Sequence, residues 1–235
     1  MHSPGVNCLL SLSIITLLLI AMPSKAADQV SSGAPPTPVY QPPMRGAPAS
    51  RVGGASRGER NGALILRVLA PESIGLTRQA QPTLYWYSST SLSMPLEFTL
   101  IDEQSIKPLV DRSVNAPQPG IHALPLHYTL KPEVEYQWSI AAVTDPGQRA
   151  SDTIASGAIK YVQPPAPLAA RLSNASVEEL PFLYAQAGFW YDAIAVLSEQ
   201  IAAQPMERRL REQRAALLEQ VGLKAVAAYD REMKP

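Results

Sequence analysis

The sequence predicts a mainly β plus α protein, with an antiparallel β-sandwich over residues 63–163 and a small helical segment over 176–235. Three observations carry that prediction. Short runs of strand-forming residues recur roughly every ten positions between 64 and 162, each closed by turn-forming residues. The most regular run, 130–144, puts Val134, Tyr136, Trp138, Ile140 and Ala142 on one face and Glu135, Gln137 and Ser139 on the other. Beyond Gln163-Pro164-Pro165-Ala166-Pro167 the apolar spacing changes from two to that of a helix.

Residues 1–26 read as a signal peptide. An apolar run over 8–22 is followed by small residues at Ser24 and Ala26, which suits cleavage after Ala26. The run is shorter than the ~20 residues a membrane span needs. The first seven residues carry no Lys or Arg, so an uncleaved N-terminal anchor is the competing reading. Cys8 is the only cysteine, so the mature chain is expected to carry no disulfide or thiolate metal site. The expected address is extracytoplasmic, periplasmic or secreted. Basic and acidic residues number 20 each, a balance that gives no general field for nucleic acid or an anionic surface.

Residues 27–62 are predicted to be a disordered Pro/Gly/Arg-rich leader, with prolines at 35, 36, 38, 42, 43 and 48 and no apolar periodicity. Its second half places Arg45, Arg51, Arg57 and Arg60 among glycines. A flexible basic linker accounts for this more simply than an anion-binding nest, because no strand-to-helix context surrounds the glycines.

Seven strands are then expected: 64–69, 82–89, 95–102, 108–114, 120–126, 130–144 and 158–162. In the second, Leu84 and Trp86 share one face while Tyr85 and Tyr87 share the other. Trp86, Tyr136 and Trp138 read as core residues. Tyr85 and Tyr87 suit either core or a ligand platform. Residues 164–175 read as a Pro-rich linker.

In the helical segment, Ser176 and Glu179 have capping-box spacing. Leu180, Leu183, Tyr184 and Ala187 form the first apolar stripe, which Gly188 ends. Trp190, Ile194, Leu197 and Ile201 form the second, over 189–203. A charged third helix spans 207–221 and a fourth spans 223–233. Glu207, Arg208, Arg211, Glu212 and Arg214 are spaced for pairing along the third helix, which predicts a solvated face; Leu210, Ala215, Leu217 and Leu218 leave a modest apolar seam.

No motif for catalysis or metal binding emerges, and no cofactor is expected. His122 and His127 are an odd number of residues apart and face opposite sides of a straight strand. Asp102-Glu103 reads as a polar turn, and Glu178-Glu179 as helix capping. Asp145 and Asp152 flank a hairpin tip where calcium or sugar could bind, though Asp145-Pro146-Gly147 is accounted for as a turn. No metallopeptidase or serine-hydrolase motif is present.

Leu130 followed by Tyr136 at the start of a strand resembles the tyrosine corner of immunoglobulin and fibronectin type III domains, which makes the expected sandwich immunoglobulin/fibronectin-like. Gly188, Trp190, Ala193 and Pro205, with Ala185 and Leu197, resemble the second helix of a tetratricopeptide repeat. At most one and a half units are present, so this segment is expected to need a packing partner. The leader RGAP…RVGGASRG is followed in order by LAPE…GLT, PTLYWY, LEFTLIDE, PGIHALPL, EYQWSI and AGFWYDAI. Over roughly 45–203 this series resembles the bacterial family catalogued as domain of unknown function 928. That resemblance implies a secreted bacterial protein and transfers no catalytic residue.

The sequence therefore points to a non-enzymatic binding or adaptor protein of the cell envelope that recognises another polypeptide. Trp190, Tyr191 and Leu197, with Tyr85 and Tyr87, form its expected interaction surface. One alternative is a carbohydrate-binding or carbohydrate-active envelope protein using Tyr85 and Tyr87 as stacking surfaces. Another is an envelope anchor or assembly factor using the basic leader. No nucleic-acid partner and no stable membrane span after signal cleavage are expected.

Overall fold

The computed structural model describes residue 2, residues 36–43, 64–145 and 147–233, apart from the side chains of Met94 and Pro95. Apart from residue 2, the expected signal peptide and the arginine-rich half of the leader lie outside the described residues. Among the described residues eight strands come first: β1 (Leu66–Val68), β2 (Gly75–Thr77), β3 (Thr83–Ser88), β4 (Leu92–Asp102), β5 (Val110–Ala116), β6 (Gly120–Pro125), β7 (Glu135–Ala142) and β8 (Thr153–Tyr161). Five α-helices follow among the described residues: α1 (Ala166–Asn174), α2 (Leu180–Gln186), α3 (Trp190–Ala203), α4 (Arg208–Gln220) and α5 (Lys224–Glu232). The molecule is thus β plus α, with two sheets ordered β1-β3-β6 and β2-β8-β7-β4-β5.

The 130–144 run supplies β7, which lies between β4 and β8 and pairs antiparallel with both. Tyr136, Trp138 and Ile140 are buried on its inner face beside Phe98 and Leu100 from β4. The Lys131 amide donates to the Tyr136 hydroxyl at 3.0 Å, so a buried ring ties down the loop that leads into its own strand. On β6, His122 stacks on Trp86 with centroids 4.4 Å apart; burial lowers its pKa. His127 lies beyond β6 and is exposed.

Three features depart from the sequence expectation. β2 has only three residues, too few to show alternation, and pairs parallel to β8, so the sheets are not wholly antiparallel. β8 starts at Thr153 instead of 158, because Ser156-Gly157-Ala158 looks like a turn in sequence. A Cβ at Gly157 would stand 2.5 Å from the Ala70 Cβ, so this buried strand is kept small where the chain beyond β1 crosses it. The expected linker at 164–175 is largely helix α1: Pro165 is its N-cap, and a proline in the first turn sacrifices no helical hydrogen bond.

Sheets and helices share one hydrophobic core. α3 packs against β2 and β3, and α4 against α3 and α5. The charges of α4 pair across to α5. Arg214, 6% exposed, forms a two-pronged ion pair with the 1% exposed Asp230, at 2.7 Å on each prong. Arg231 reaches Glu212 and Glu219. The expectation of pairing along a solvated α4 face is therefore corrected, because the α4–α5 hairpin brings opposite charges closer than the helix spacing does. Leu210, Ala215, Leu217 and Leu218 are all buried. Among the described residues, no helix is long and apolar enough to cross a membrane.

Candidate functional site: a seat for an extended segment

The turn between α2 and α3 organises the site. Ser176 starts the α2 turn, with the Glu179 carboxylate accepting from the Ser176 amide at 2.8 Å, and this bond draws the carboxyl below its ordinary pKa. Gly188 ends α2 at φ 81°, and the Phe189 amide closes back on the Tyr184 carbonyl at 2.9 Å. That left-handed turn favours glycine and aims the start of α3 into the sheets.

Three consecutive α3 side chains are fixed there. Trp190 donates its indole N–H to the Leu69 carbonyl at 2.8 Å. Tyr191 accepts from the Trp138 indole at 2.9 Å and donates to the Ala158 carbonyl at 3.0 Å, while burial pushes its phenol up. Asp192 accepts the Arg78 amide at 2.9 Å; burial raises its carboxyl to about 7, against the opposing effect of that bond, the Thr77 hydroxyl and the Arg78 charge. Gly75 leaves room for Tyr191, whose ring carbon would lie 2.7 Å from a Cβ.

All five residues expected to form an interaction surface are buried within this chain. Trp190 and Leu197 are 0% exposed, Tyr191 2%, Tyr87 5% and Tyr85 7%. Tyr85 and Tyr87 point away from Trp86 as expected, but the face they occupy is covered by helices: Tyr87 meets Tyr229 of α5 edge-on at 5.1 Å. Burial raises both phenols. The aromatic surface read from sequence is thus the junction between helices and sheets. The hairpin acids are also engaged, Asp145 by the Gly147 amide at 2.8 Å and Asp152 by Arg149 at 2.8 Å.

The outer side of this junction holds residues 36–43, Pro-Thr-Pro-Val-Tyr-Gln-Pro-Pro, in extended form. This part of the expected leader has no regular secondary structure, yet it is docked. Pro38 and Tyr40 turn inward while Val39 and Gln41 face out. The Tyr40 ring lies 4.9 Å from Trp190, edge to face. Its hydroxyl is buried, and burial pushes its pKa up to about 12 against the opposing effect of the neighbouring Ser73 hydroxyl.

Backbone contacts complete the seat. Gln220 of α4 donates to the Pro38 carbonyl at 2.9 Å and accepts the Tyr40 amide at 2.8 Å. Gln213, one helical face earlier, donates to the Pro36 carbonyl at 3.1 Å. The Gln41 amide reaches the Ala185 carbonyl at 3.0 Å. Gly188 again supplies the space, since a Cβ would meet the Gln41 carbonyl oxygen at 3.1 Å. Prolines at 36, 38, 42 and 43 have no N–H to satisfy, which suits a groove that supplies few acceptors.

Sequence reading missed this site. Gln213 and Gln220 sit seven apart, two helical turns, on a charged helix where polar residues read as solvated. Tyr40 lies in a stretch without periodicity. The pattern Pro38-Val39-Tyr40, with an aromatic at period two, was the available signal.

A search of curated proteins found no match to this chain. A family model described as Domain of Unknown Function (DUF928) matches residues 52–230, covering the sheets and the helices of the seat but not the seated segment. The chain belongs to the DUF928 family.

Proposed function

We propose that the protein is a non-enzymatic binding or adaptor protein, exported by cleavage near Ala26, that recognises another polypeptide in the cell envelope. The observation behind this reading is the seat on α2–α4, where an extended segment is held through its backbone carbonyls and amides and one aromatic anchor. Contacts to backbone are indifferent to most of the ligand's side chains, so the same surface suits a segment from another chain.

The scaffold is read as immunoglobulin/fibronectin-like, supported by the Lys131–Tyr136 hydrogen bond in the place of a tyrosine corner. The α2–α3 pair is read as repeat-like, supported by the tight Gly188 turn and by buried Ala185, Ala193 and Leu197. Burial of Tyr85 and Tyr87 deprives the carbohydrate reading of its stacking platform.

Capture from envelope extract tests the proposal, with the chain as bait beside Gln213→Ala/Gln220→Ala. A polypeptide retained by the native seat, lost with the double variant, and crosslinked to α4 supports the adaptor reading. A partner profile unchanged by the double variant removes the seat from the proposal.

A further inference from the structure

We propose that residues 36–43 are a built-in competitor: they occupy a recognition groove whose external ligand is an extended, proline-containing peptide with an aromatic residue at the Tyr40 position. This deepens the adaptor reading and rests on it for the existence of an external partner. The chemistry of the ligand comes from the seat itself. Three main-chain groups of the segment are read by two glutamine side chains, and a fourth by the Ala185 carbonyl. The bond directions require a carbonyl at position 36, a carbonyl at 38, and N–H groups at 40 and 41. Prolines are therefore accommodated at 36, 38, 42 and 43 and excluded at 40 and 41. Burial of Pro38 and Tyr40, against 61% exposure of Val39, assigns specificity to alternate residues.

Attachment makes the segment a competitor. Residues 44–63, rich in Gly, Ala and Arg, join it to β1. Covalent attachment makes docking of the segment intramolecular, with an effective concentration of roughly 1 mM. If the segment bound its seat with a Kd of ~10 μM, an external peptide would meet a ~100-fold apparent loss of affinity. The anchor is one ring, and the backbone bonds that hold the segment go to α2 and α4, not to the sheets. An external ligand gains by outlasting the segment, or when the connection is cut.

The experiment uses the full chain and a fluorescein-labelled peptide of residues 35–44. Binding is followed by anisotropy for the native chain, Tyr40→Ala and Tyr40→Ala/Gln220→Ala. The proposal expects Tyr40→Ala to bind the peptide at least tenfold more tightly than the native chain, and Gln220→Ala in that background to reverse the gain. Equal affinity of the native chain and Tyr40→Ala, or no binding by either, overturns it. A second measurement keeps the native segment sequence. A protease site is placed within 44–63 and cut after folding. The freed segment should then exchange with the labelled peptide and leave on dilution; a segment that stays bound and never exchanges is a fixed structural part, and the proposal falls. Exchange without any envelope partner would instead sink the adaptor reading while leaving the segment releasable from its seat.

Discussion

Asp192 is where a single side chain most strongly links pH to the fold. Its carboxyl is raised to about 7 by burial, so the folded state holds a proton that the unfolded chain releases near pH ~4. The stabilisation is full below the unfolded pKa and is lost as pH rises through about 7. Stability measured by urea unfolding should fall between pH 4 and pH 8, by on the order of 4 kcal/mol from this group alone. Asp192→Asn retains an acceptor for the Arg78 amide and should flatten that slope; an unchanged slope would assign the pH dependence elsewhere. Tyr40 makes the opposite point. Its buried hydroxyl makes no well-formed hydrogen bond and has only the Ser73 hydroxyl beside it, so Tyr40→Phe should change the melting temperature little, while Tyr40→Ala should cost about 3 kcal/mol if the segment unfolds with the rest. A loss in Tyr40→Phe as large as in Tyr40→Ala would contradict a seat based on ring packing.

At the scale of elements, the α4–α5 hairpin depends on one desolvated ion pair. Asp230→Ala would leave Arg214 buried without its partner and should cost about 3–5 kcal/mol, read as a lower denaturation midpoint. A change below 1 kcal/mol would show that the two helices hold together by their apolar seam alone. The α2–α3 turn should be equally intolerant. Gly188→Ala combines a left-handed backbone with pressure on the Gln41 carbonyl, so it should both destabilise the helix end and loosen the segment.

These elements were unequally legible in the sequence. β7, α3 and the Gly188 stop show full alternation or a full apolar stripe, and period is what a sequence displays. β2, α1 and the first half of β8 were hidden for separate physical reasons. Three residues cannot show a period, prolines beside a helix start look like a linker, and a strand of small residues looks like a turn. Ion pairs between α4 and α5 were hidden because spacing along one helix says nothing about the facing helix.

The sheets and helices of residues 64–233 behave as one cooperative body, because Trp190, Tyr191 and Asp192 close the helices onto carbonyls and amides of the sheets. That explains why the aromatic residues that looked like a partner surface proved to be internal. Sequence shows that an aromatic needs a partner, but not whether the partner belongs to the same chain. Trp190→Ala should accordingly cost about 3–5 kcal/mol of global stability, with sheets and helices still melting together. Two separated transitions in the native chain would contradict a shared core.

Native-state amide exchange at Tyr40 and Gln41 tests whether residues 36–43 are seated yet releasable. Both amides should exchange far more slowly than in a free peptide and far faster than those of Trp138 and Ile140, with protection of Tyr40 lost in Gln220→Ala. Exchange at the free-peptide rate would mean the segment is not seated. Exchange as slow as the β7 core would mean it is never released, and the seat would have nothing to offer another chain.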